Sequence, residues 1–230
     1  MTEDLPGRLR DVSRRLAARY GRPGRGAHGT GLPPALNLVL TILSQNTTDR
    51  NRDRAFDALR ARYPTVERIA SARAPEIARA IRVAGLAQAK SKAILGSLRR
   101  LSRETGGYGM EFLARMPLPE ARGWLTSLPC VGVKTANILL LFSFGKEAFP
   151  VDTHILRVTK RLGLVPRGAD LARAALLLEP HVPGGHQVPL HLNLIRLGRE
   201  ICRPRNPAHG ECPLLPVCPE GGGGAASSTP

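Results

Sequence analysis

The sequence predicts an all-α fold, and three observations support this prediction. Apolar residues recur at spacings of three and four along residues 50–62, 75–81 and 87–104, which is the period of a helix with one buried face. Residues 35–43 (ALNLVLTIL) are almost wholly apolar, as in a helix buried on all sides. Runs of alternating β-branched residues, the usual sign of half-buried strands, are absent from the sequence.

The two ends of the chain have distinct patterns. Residues 5–20 are rich in arginine and carry apolar residues on one face, which predicts an amphipathic surface helix. The acidic residues Glu3, Asp4 and Asp11 argue against a mitochondrial transit peptide there. From residue 219 the chain reads PEGGGGAASSTP, so residues 219–230 are predicted to be a flexible tail with nothing to bury.

The charge of the chain favours a polyanionic partner. Lysine and arginine total 34 against 18 acidic residues, which gives a formal net charge of +16. Nucleic acid is the first candidate, although an arginine-rich solvated surface without a ligand is the alternative. Aromatic residues make up only 4%, too few for the stacking platforms that bind single strands, so duplex DNA is predicted. No apolar run is long enough to span a bilayer, and we expect no membrane partner.

A short link rich in turn residues separates two predicted helices at residues 117–127 and 133–144. The link, LPCVG, contains proline and glycine, and the second helix begins directly after it. The amides at a helix N-terminus can bind a phosphate without reading the base sequence. A plain αα-hairpin without a ligand is the alternative, and the pattern alone leaves both open. A lysine at position 134 is unfavourable for the helix dipole, which hints at another role.

Five segments in the same order resemble the endonuclease III family of DNA glycosylases. They are LSQNTTD (43–49), GLAQAK (85–90), LPCVGVKTAN (128–137), FPVDTHILRV (149–158) and LGREIC (197–202). The hairpin of the family is usually L-P-G-V-G-x-K-T-A, so Cys130 stands where glycine is usual. We expect Cys130 to be a buried or half-buried hairpin residue rather than a metal ligand. If its φ is positive, it adds strain.

The resemblance implies a two-lobed helix–hairpin–helix glycosylase fold with DNA bound in the cleft between the lobes. Residues 32–146 would form a six-helix domain carrying the hairpin, and residues 1–31 with 147–218 a second helical domain with a metal-cluster loop. Asn46 matches a family glutamine that enters the duplex, with Gln45 before it, and Leu86 matches a wedge leucine. An amide at a helix end and a core leucine are the alternatives. The predicted DNA contacts are Gln45, Asn46, Leu86, Leu128, Val131, Gly132, Lys134 and Thr135.

Lys134 and Asp152 are the predicted catalytic residues. A nucleophilic lysine must be neutral, and a helix N-terminus and partial burial both disfavour the ammonium form. The resemblance implies that Lys134 attacks the sugar C1′, expels the base and forms a Schiff base, across the cleft from Asp152. A carboxylate near the sugar can stabilise developing positive charge and handle the proton. Asp152 also precedes a helical run, so it can equally be the N-cap of that helix.

Residues 202–218 (CRPRNPAHGECPLLPVC) predict a metal site. Clustered thiols without a signal peptide favour a metal over disulfides. Cys202, His209, Cys212 and Cys218 form a Cys₃His set, and by ligand type such a set suits structural zinc. The resemblance instead implies a [4Fe–4S] cluster, because the family loop is C-x6-C-x2-C-x5-C and His209 falls on its second position. The fourth ligand stays open.

The predicted function is a bifunctional DNA glycosylase and AP lyase of base excision repair. It would remove oxidised pyrimidines from duplex DNA and also act on abasic sites, as a cytoplasmic, nucleoid-associated monomer. One alternative is a glycosylase of another lesion specificity with weak lyase activity. The other is a non-catalytic DNA-binding module that keeps only the hairpin and the charge.

Overall fold

The computed structural model describes residues 4–24, 26 and 31–222, and twelve α-helices form its framework. In chain order they are α1 (Leu5–Tyr20), α2 (Pro34–Leu43), α3 (Asp49–Arg62), α4 (Val66–Ser71), α5 (Ala74–Ala80), α6 (Ala87–Thr105), α7 (Phe112–Arg115), α8 (Leu118–Thr126), α9 (Val133–Phe142), α10 (Thr153–Arg161), α11 (Leu171–Leu178) and α12 (Gln187–Glu200). Within the described residues there is no β-strand, and the all-α prediction is confirmed.

Eight of the twelve helices in the described residues follow the sequence prediction, whereas α4, α7, α11 and α12 are not predicted. α1, α2, α3, α5, α6, α8, α9 and α10 fall where apolar periodicity or a helix-start signal predicts them. α4 and α7 are too short for a periodic pattern to develop. The sequence HVPGGHQVP at 181–189 is typical of a loop, but α12 already begins within it, at Gln187. Pro189 lies in the first turn of α12, where its missing N–H costs no helical hydrogen bond.

Two compact units meet along the chain at Lys146 and Glu147. The hairpin unit comprises α2–α9, and the cysteine unit comprises α1, α10–α12 and the loop that follows α12. The division into residues 32–146, 1–31 with 147–218, and a tail remains a proposal. Of that tail, residues 219–221 form a short 3-10 helix, and residues 223–230 lie outside the described residues.

The hairpin unit is built around α2. Nine of the ten residues of this helix are buried, as its apolar sequence predicts, and it packs against α3, α6 and α9. Leu38, Val39, Ile42 and Leu43 are fully buried. Because α2 ends inside this core, the loop after it starts from a fixed position.

The cysteine unit packs α1 and α10 against α12. Leu9 and Leu16 of α1, Ile155 of α10 and Leu194 of α12 are fully buried in its core. Leu214 of the C-terminal loop is also buried in this core, so the loop is anchored at that point. None of the described helices combines the length and the apolar character that a bilayer crossing requires.

Candidate nucleic-acid interface and catalytic residues

The link between α8 and α9 is a tight turn that leaves helix amides exposed as donors. The N–H of Leu128 donates to the carbonyl of Leu125 at 3.1 Å, and the N–H of Val131 donates to that of Leu128 at 3.2 Å. The first hydrogen bond of α9 runs from the Ala136 N–H to the Gly132 carbonyl at 3.0 Å. The amides of residues 133–135 therefore have no intrahelical acceptor, and no side chain of the described residues caps this end.

The predicted contact residues of the hairpin divide into exposed and buried groups. Gly132 and Lys134 are exposed, whereas the side chains of Leu128, Val131 and Thr135 are buried. Only the backbone of the three buried residues can reach a ligand in this conformation. The expected partial burial of Lys134 is wrong for the protein alone, because its side chain is exposed in the described part of the chain.

Two arginines that the sequence analysis missed hold α8 in place. Arg122 Nε of α8 donates to Asn137 Oδ1 of α9 at 2.8 Å, and Asn137 is almost fully buried. Arg100 Nη1 of α6 donates to the Ser127 carbonyl just after α8 at 2.9 Å. An asparagine within the apolar run NILLLF was a usable signal, because a buried amide needs a hydrogen-bond partner.

Cys130 occupies a left-handed backbone conformation in this turn. Its φ is +59°, and its side chain is exposed, so the expectation of a buried or half-buried residue is wrong. In this region the Cβ of cysteine makes an unfavourable contact with the backbone, which glycine avoids because it has no Cβ. The turn therefore adopts a conformation that glycine would fit best, although cysteine occupies the position.

Replacing Cys130 by glycine should therefore stabilise the protein. We expect a gain of about 0.5–1 kcal/mol, because relief of about 1–2 kcal/mol of strain exceeds the extra chain entropy that glycine loses on folding. Urea denaturation of the wild type and Cys130→Gly measures this difference. Cys130→Ala is the matched control and should give no gain. Equal stabilisation by alanine would show that the thiol, and not the backbone, causes the strain.

The loop after α2 braces the hairpin. Gln45 Nε2 donates to the Cys130 carbonyl at 2.8 Å and to Thr135 Oγ1 at 3.3 Å. Asn46, which follows it, is exposed and has a φ of +49°. Gln45 is thus hydrogen-bonded within the hairpin unit, whereas the amide of Asn46 is exposed and has no hydrogen bond to another described residue.

Leu86 lies on the surface and not in the core. It is 61% exposed and adopts a φ of +48° at the N-cap of α6. A large apolar side chain held in water in a disfavoured conformation needs a reason beyond folding. The alternative of a core leucine is therefore wrong, and the wedge role stays a prediction.

Asp152 is buried and caps α10. Its Oδ1 accepts the Ile155 N–H at 2.8 Å, so the N-cap interpretation is correct. His191 of α12 is also buried, and its Nδ1 lies 2.9 Å from the Pro150 carbonyl oxygen, to which it must donate. This bond fixes the backbone two residues before the carboxylate. Sequence reasoning had assigned no role to His191, because a histidine pattern alone does not identify its acceptor.

The three C-terminal cysteines line one small cavity of the cysteine unit. Cys202, Cys212 and Cys218 are half-buried there, and His209 borders the same cavity. Burial raises the pKa of the Cys212 thiol, and the neighbouring thiols of Cys202 and Cys218 raise it further. Thiol and imidazole side chains are common metal ligands, so these four residues fit a metal site by ligand type. However, no group of three or more His, Cys, Asp or Glu side chains in the described part of the chain converges closely enough to hold an ion.

Arg161 of α10 holds the first turn of the cysteine loop. Its Nη1 donates to the Cys202 sulfur at 3.3 Å and to the Arg203 carbonyl at 2.8 Å, and its Nη2 donates to the Pro204 carbonyl at 3.1 Å. Arg157, one turn earlier, donates from Nε to the Cys202 carbonyl at 2.9 Å. The start of the loop is therefore set by α10, and Cys218 also contacts this helix, because its Sγ lies 3.9 Å from the Arg161 carbonyl oxygen.

Residues 39–180 match the family model described as HhH-GPD superfamily base excision DNA repair protein. The chain belongs to this superfamily. An endonuclease III of Thermotoga maritima is 31% identical over 214 residues, covering 91% of this chain and 92% of that protein. A candidate DNA glycosylase of Arabidopsis thaliana is 36% identical over 165 residues, and the match spans 72% of this chain but only 56% of that longer protein.

A solved structure of an endonuclease III is also similar to this chain. An endonuclease III trapped as a covalent intermediate with DNA superposes with a TM-score of 0.76 at 26% identity, covering 94% of this chain and 97% of that one. These findings confirm two predictions for this HhH-GPD protein. It belongs to the endonuclease III family, and it is a base excision repair glycosylase with AP lyase activity. The individual site residues stay predictions.

Proposed function

We propose that this chain removes oxidised pyrimidines from duplex DNA and cleaves the strand at the resulting abasic site, with Lys134 as the nucleophile. The observation that carries the proposal is the exposed amine of Lys134 in the first turn of α9, beside the available amides of residues 133–135. These donors suit a DNA phosphate, which would bring the sugar of a neighbouring nucleotide to the amine. We propose that the protein acts as a monomer.

The chemistry follows from an amine at the sugar. The neutral Lys134 nitrogen attacks C1′, the glycosidic bond breaks, and the base leaves with a proton. Opening of the C1′–O4′ bond, with a proton taken up by O4′, then gives the Schiff base. The Schiff base makes the C2′ proton acidic, so β-elimination expels the 3′ phosphate.

Asp152 would assist at the same sugar. One oxygen of its carboxylate is committed to the α10 cap, and the second accepts no hydrogen bond from the described residues. That oxygen can stabilise positive charge on the sugar or take a proton from the attacking amine. The cap and the chemistry are therefore compatible roles of one carboxylate.

Strand cleavage on a panel of duplexes tests the proposed substrate class. We expect cleavage of duplexes that contain thymine glycol or an abasic site, and none of an undamaged duplex, since only the first two present a target to Lys134. A duplex that contains uracil tests the alternative of a glycosylase with another lesion specificity. Cleavage at uracil but not at thymine glycol would favour that alternative, and binding without any cleavage would favour the non-catalytic module.

We further propose that Cys202, His209, Cys212 and Cys218 hold a [4Fe–4S] cluster, with zinc as the alternative. Three observations support this proposal. The four residues line one cavity, and Arg161 donates a hydrogen bond to the Cys202 sulfur. His209 also falls on the second ligand position of the family's C-x6-C-x2-C-x5-C loop. The cluster would supply a cross-link that orders a loop otherwise fixed mainly by Leu214 and by α10. A neutral imidazole adds no negative charge, so the cluster would be one unit more positive than its all-cysteine form.

Metal analysis of protein purified without oxygen should find iron and sulfide rather than zinc. His209→Cys should keep or raise the iron content, and His209→Ala should lower it, because only the first preserves a fourth ligand. Cys130→Ser is the matched control and should leave the iron content unchanged. Iron-free protein containing one zinc would favour the alternative, and a His209→Ala variant with full iron would exclude His209 as a ligand.

A further inference from the structure

Lys90 is a buried amine that neither the hairpin nor the proposed catalysis uses. It lies in the first turn of α6, it is 3% exposed, and burial lowers its pKa. Its Nζ donates to the Leu43 carbonyl at 2.8 Å and to the Ala84 carbonyl at 2.9 Å. Within the described residues no carboxylate pairs with it. Burying an amine without a counter-ion is unfavourable, so these two hydrogen bonds must offset a large desolvation free energy.

The two acceptors are the last residues of two helices. Leu43 ends α2, and Ala84 ends the 3-10 helix Arg82–Ala84. Carbonyls at helix ends lack intrahelical partners, and a cation satisfies them well. One side chain therefore binds the points at which two surface loops begin, and it fixes the distance between them.

Each of these loops carries an exposed residue in a left-handed conformation. Asn46 lies three residues after Leu43, and Leu86 lies two residues after Ala84, with φ values of +49° and +48°. Asparagine tolerates this region, but leucine rarely adopts it. Such conformations persist only where the surroundings hold them. Lys90 hydrogen-bonds to the base of both loops.

We propose that Lys90 is a positioning residue that sets Asn46 and Leu86 at the spacing needed to fill the gap left by an extruded nucleotide. The inference rests on the proposed function, because extrusion is needed only for chemistry on a nucleotide of the duplex. An exposed amide and an exposed apolar side chain are suited to two tasks in such a gap. The amide can pair with the orphaned base, and the leucine can replace lost stacking.

The decisive comparison is between paired and unpaired targets. Lys90→Met keeps the side-chain length but removes both hydrogen bonds. Excision of a lesion from a fully paired duplex should fall roughly 10–100-fold, whereas excision from a bubble, where extrusion costs little, should stay within about threefold of wild type. Lys92→Met, an exposed lysine of the same helix, is the matched control and should change neither. If Lys90→Met does not fold, Lys90→Gln, which keeps one donor, takes its place.

A binding measurement separates failure of this inference from failure of the proposed function. 2-Aminopurine placed opposite a tetrahydrofuran abasic analogue should become more fluorescent when wild-type protein binds, and the rise should shrink with Lys90→Met. This signal requires no catalysis. Equal fluorescence for both proteins, or no rise with wild type, would overturn the role of Lys90 even if excision is normal.

A double-mutant cycle distinguishes positioning from general stability. If Lys90 acts through Leu86, the Leu86→Ala and Lys90→Met losses on paired duplex should not multiply, and the double variant should match the worse single variant. Losses that multiply, or that are equal on paired and bubble substrates, would show that Lys90 only supports folding.

Discussion

Lys134→Gln should abolish strand cleavage while the protein still binds damaged duplex. Glutamine keeps the length and polarity of the side chain but has no nucleophilic amine, so no Schiff base can form and β-elimination has no starting point. We expect cleavage to fall by on the order of 10³-fold or more, as is usual when a covalent nucleophile is removed. Single-turnover cleavage of a thymine glycol duplex measures the effect.

The control for this prediction is another exposed lysine of the hairpin unit. Lys92→Gln removes the same charge from α6 and should cleave normally. Affinity for the duplex should fall only slightly in both variants, because each loses one positive charge out of a large excess. Normal cleavage by Lys134→Gln would place the nucleophile elsewhere.

Substitutions at Asp152 should separate its two roles. Asn caps a helix about as well as Asp, so Asp152→Asn should keep the free energy of unfolding within about 1 kcal/mol of wild type. Its excision rate should nevertheless fall by roughly 10²–10⁴-fold, because the amide carries no negative charge and is a poor base. Asp152→Ala should lose the same activity and also about 1 kcal/mol of stability, since the Ile155 N–H loses its acceptor.

Thermal unfolding and single-turnover excision on the three proteins measure both effects. A fully active Asp152→Asn protein would reduce Asp152 to a helix cap. Thr153, exposed in the first turn of α10, offers a nearby control, and Thr153→Ala should affect excision little.

Local patterns predict much of this fold because the helices follow strong local signals. The apolar run of α2 fixes its burial on all sides, and the LPCVG link fixes the turn before α9. The family resemblance then places Lys134 at the start of α9. These features depend on residues close together in the chain, so a pattern of spacing is enough to find them.

The features that the sequence could not give depend on contacts distant in sequence. Lys90 binds the carbonyl of Leu43, 47 residues earlier, and Gln45 binds the carbonyl of Cys130, 85 residues later. Every residue has a backbone carbonyl, so the sequence does not show which carbonyl accepts a given hydrogen bond. The left-handed conformation of Leu86 was also unpredictable, because residue type argues against it and only the surrounding structure can hold it.

Borohydride reduction during the reaction tests the central claim most directly. Reducing the Schiff base links the protein covalently to DNA, and mass spectrometry of the digested adduct identifies the attached residue. The account predicts a single adduct on the peptide that contains Lys134, formed with a lesion-bearing or abasic duplex and absent with undamaged DNA. An adduct on another lysine or on the N-terminal amine, or strand cleavage without any trapped adduct, would contradict it.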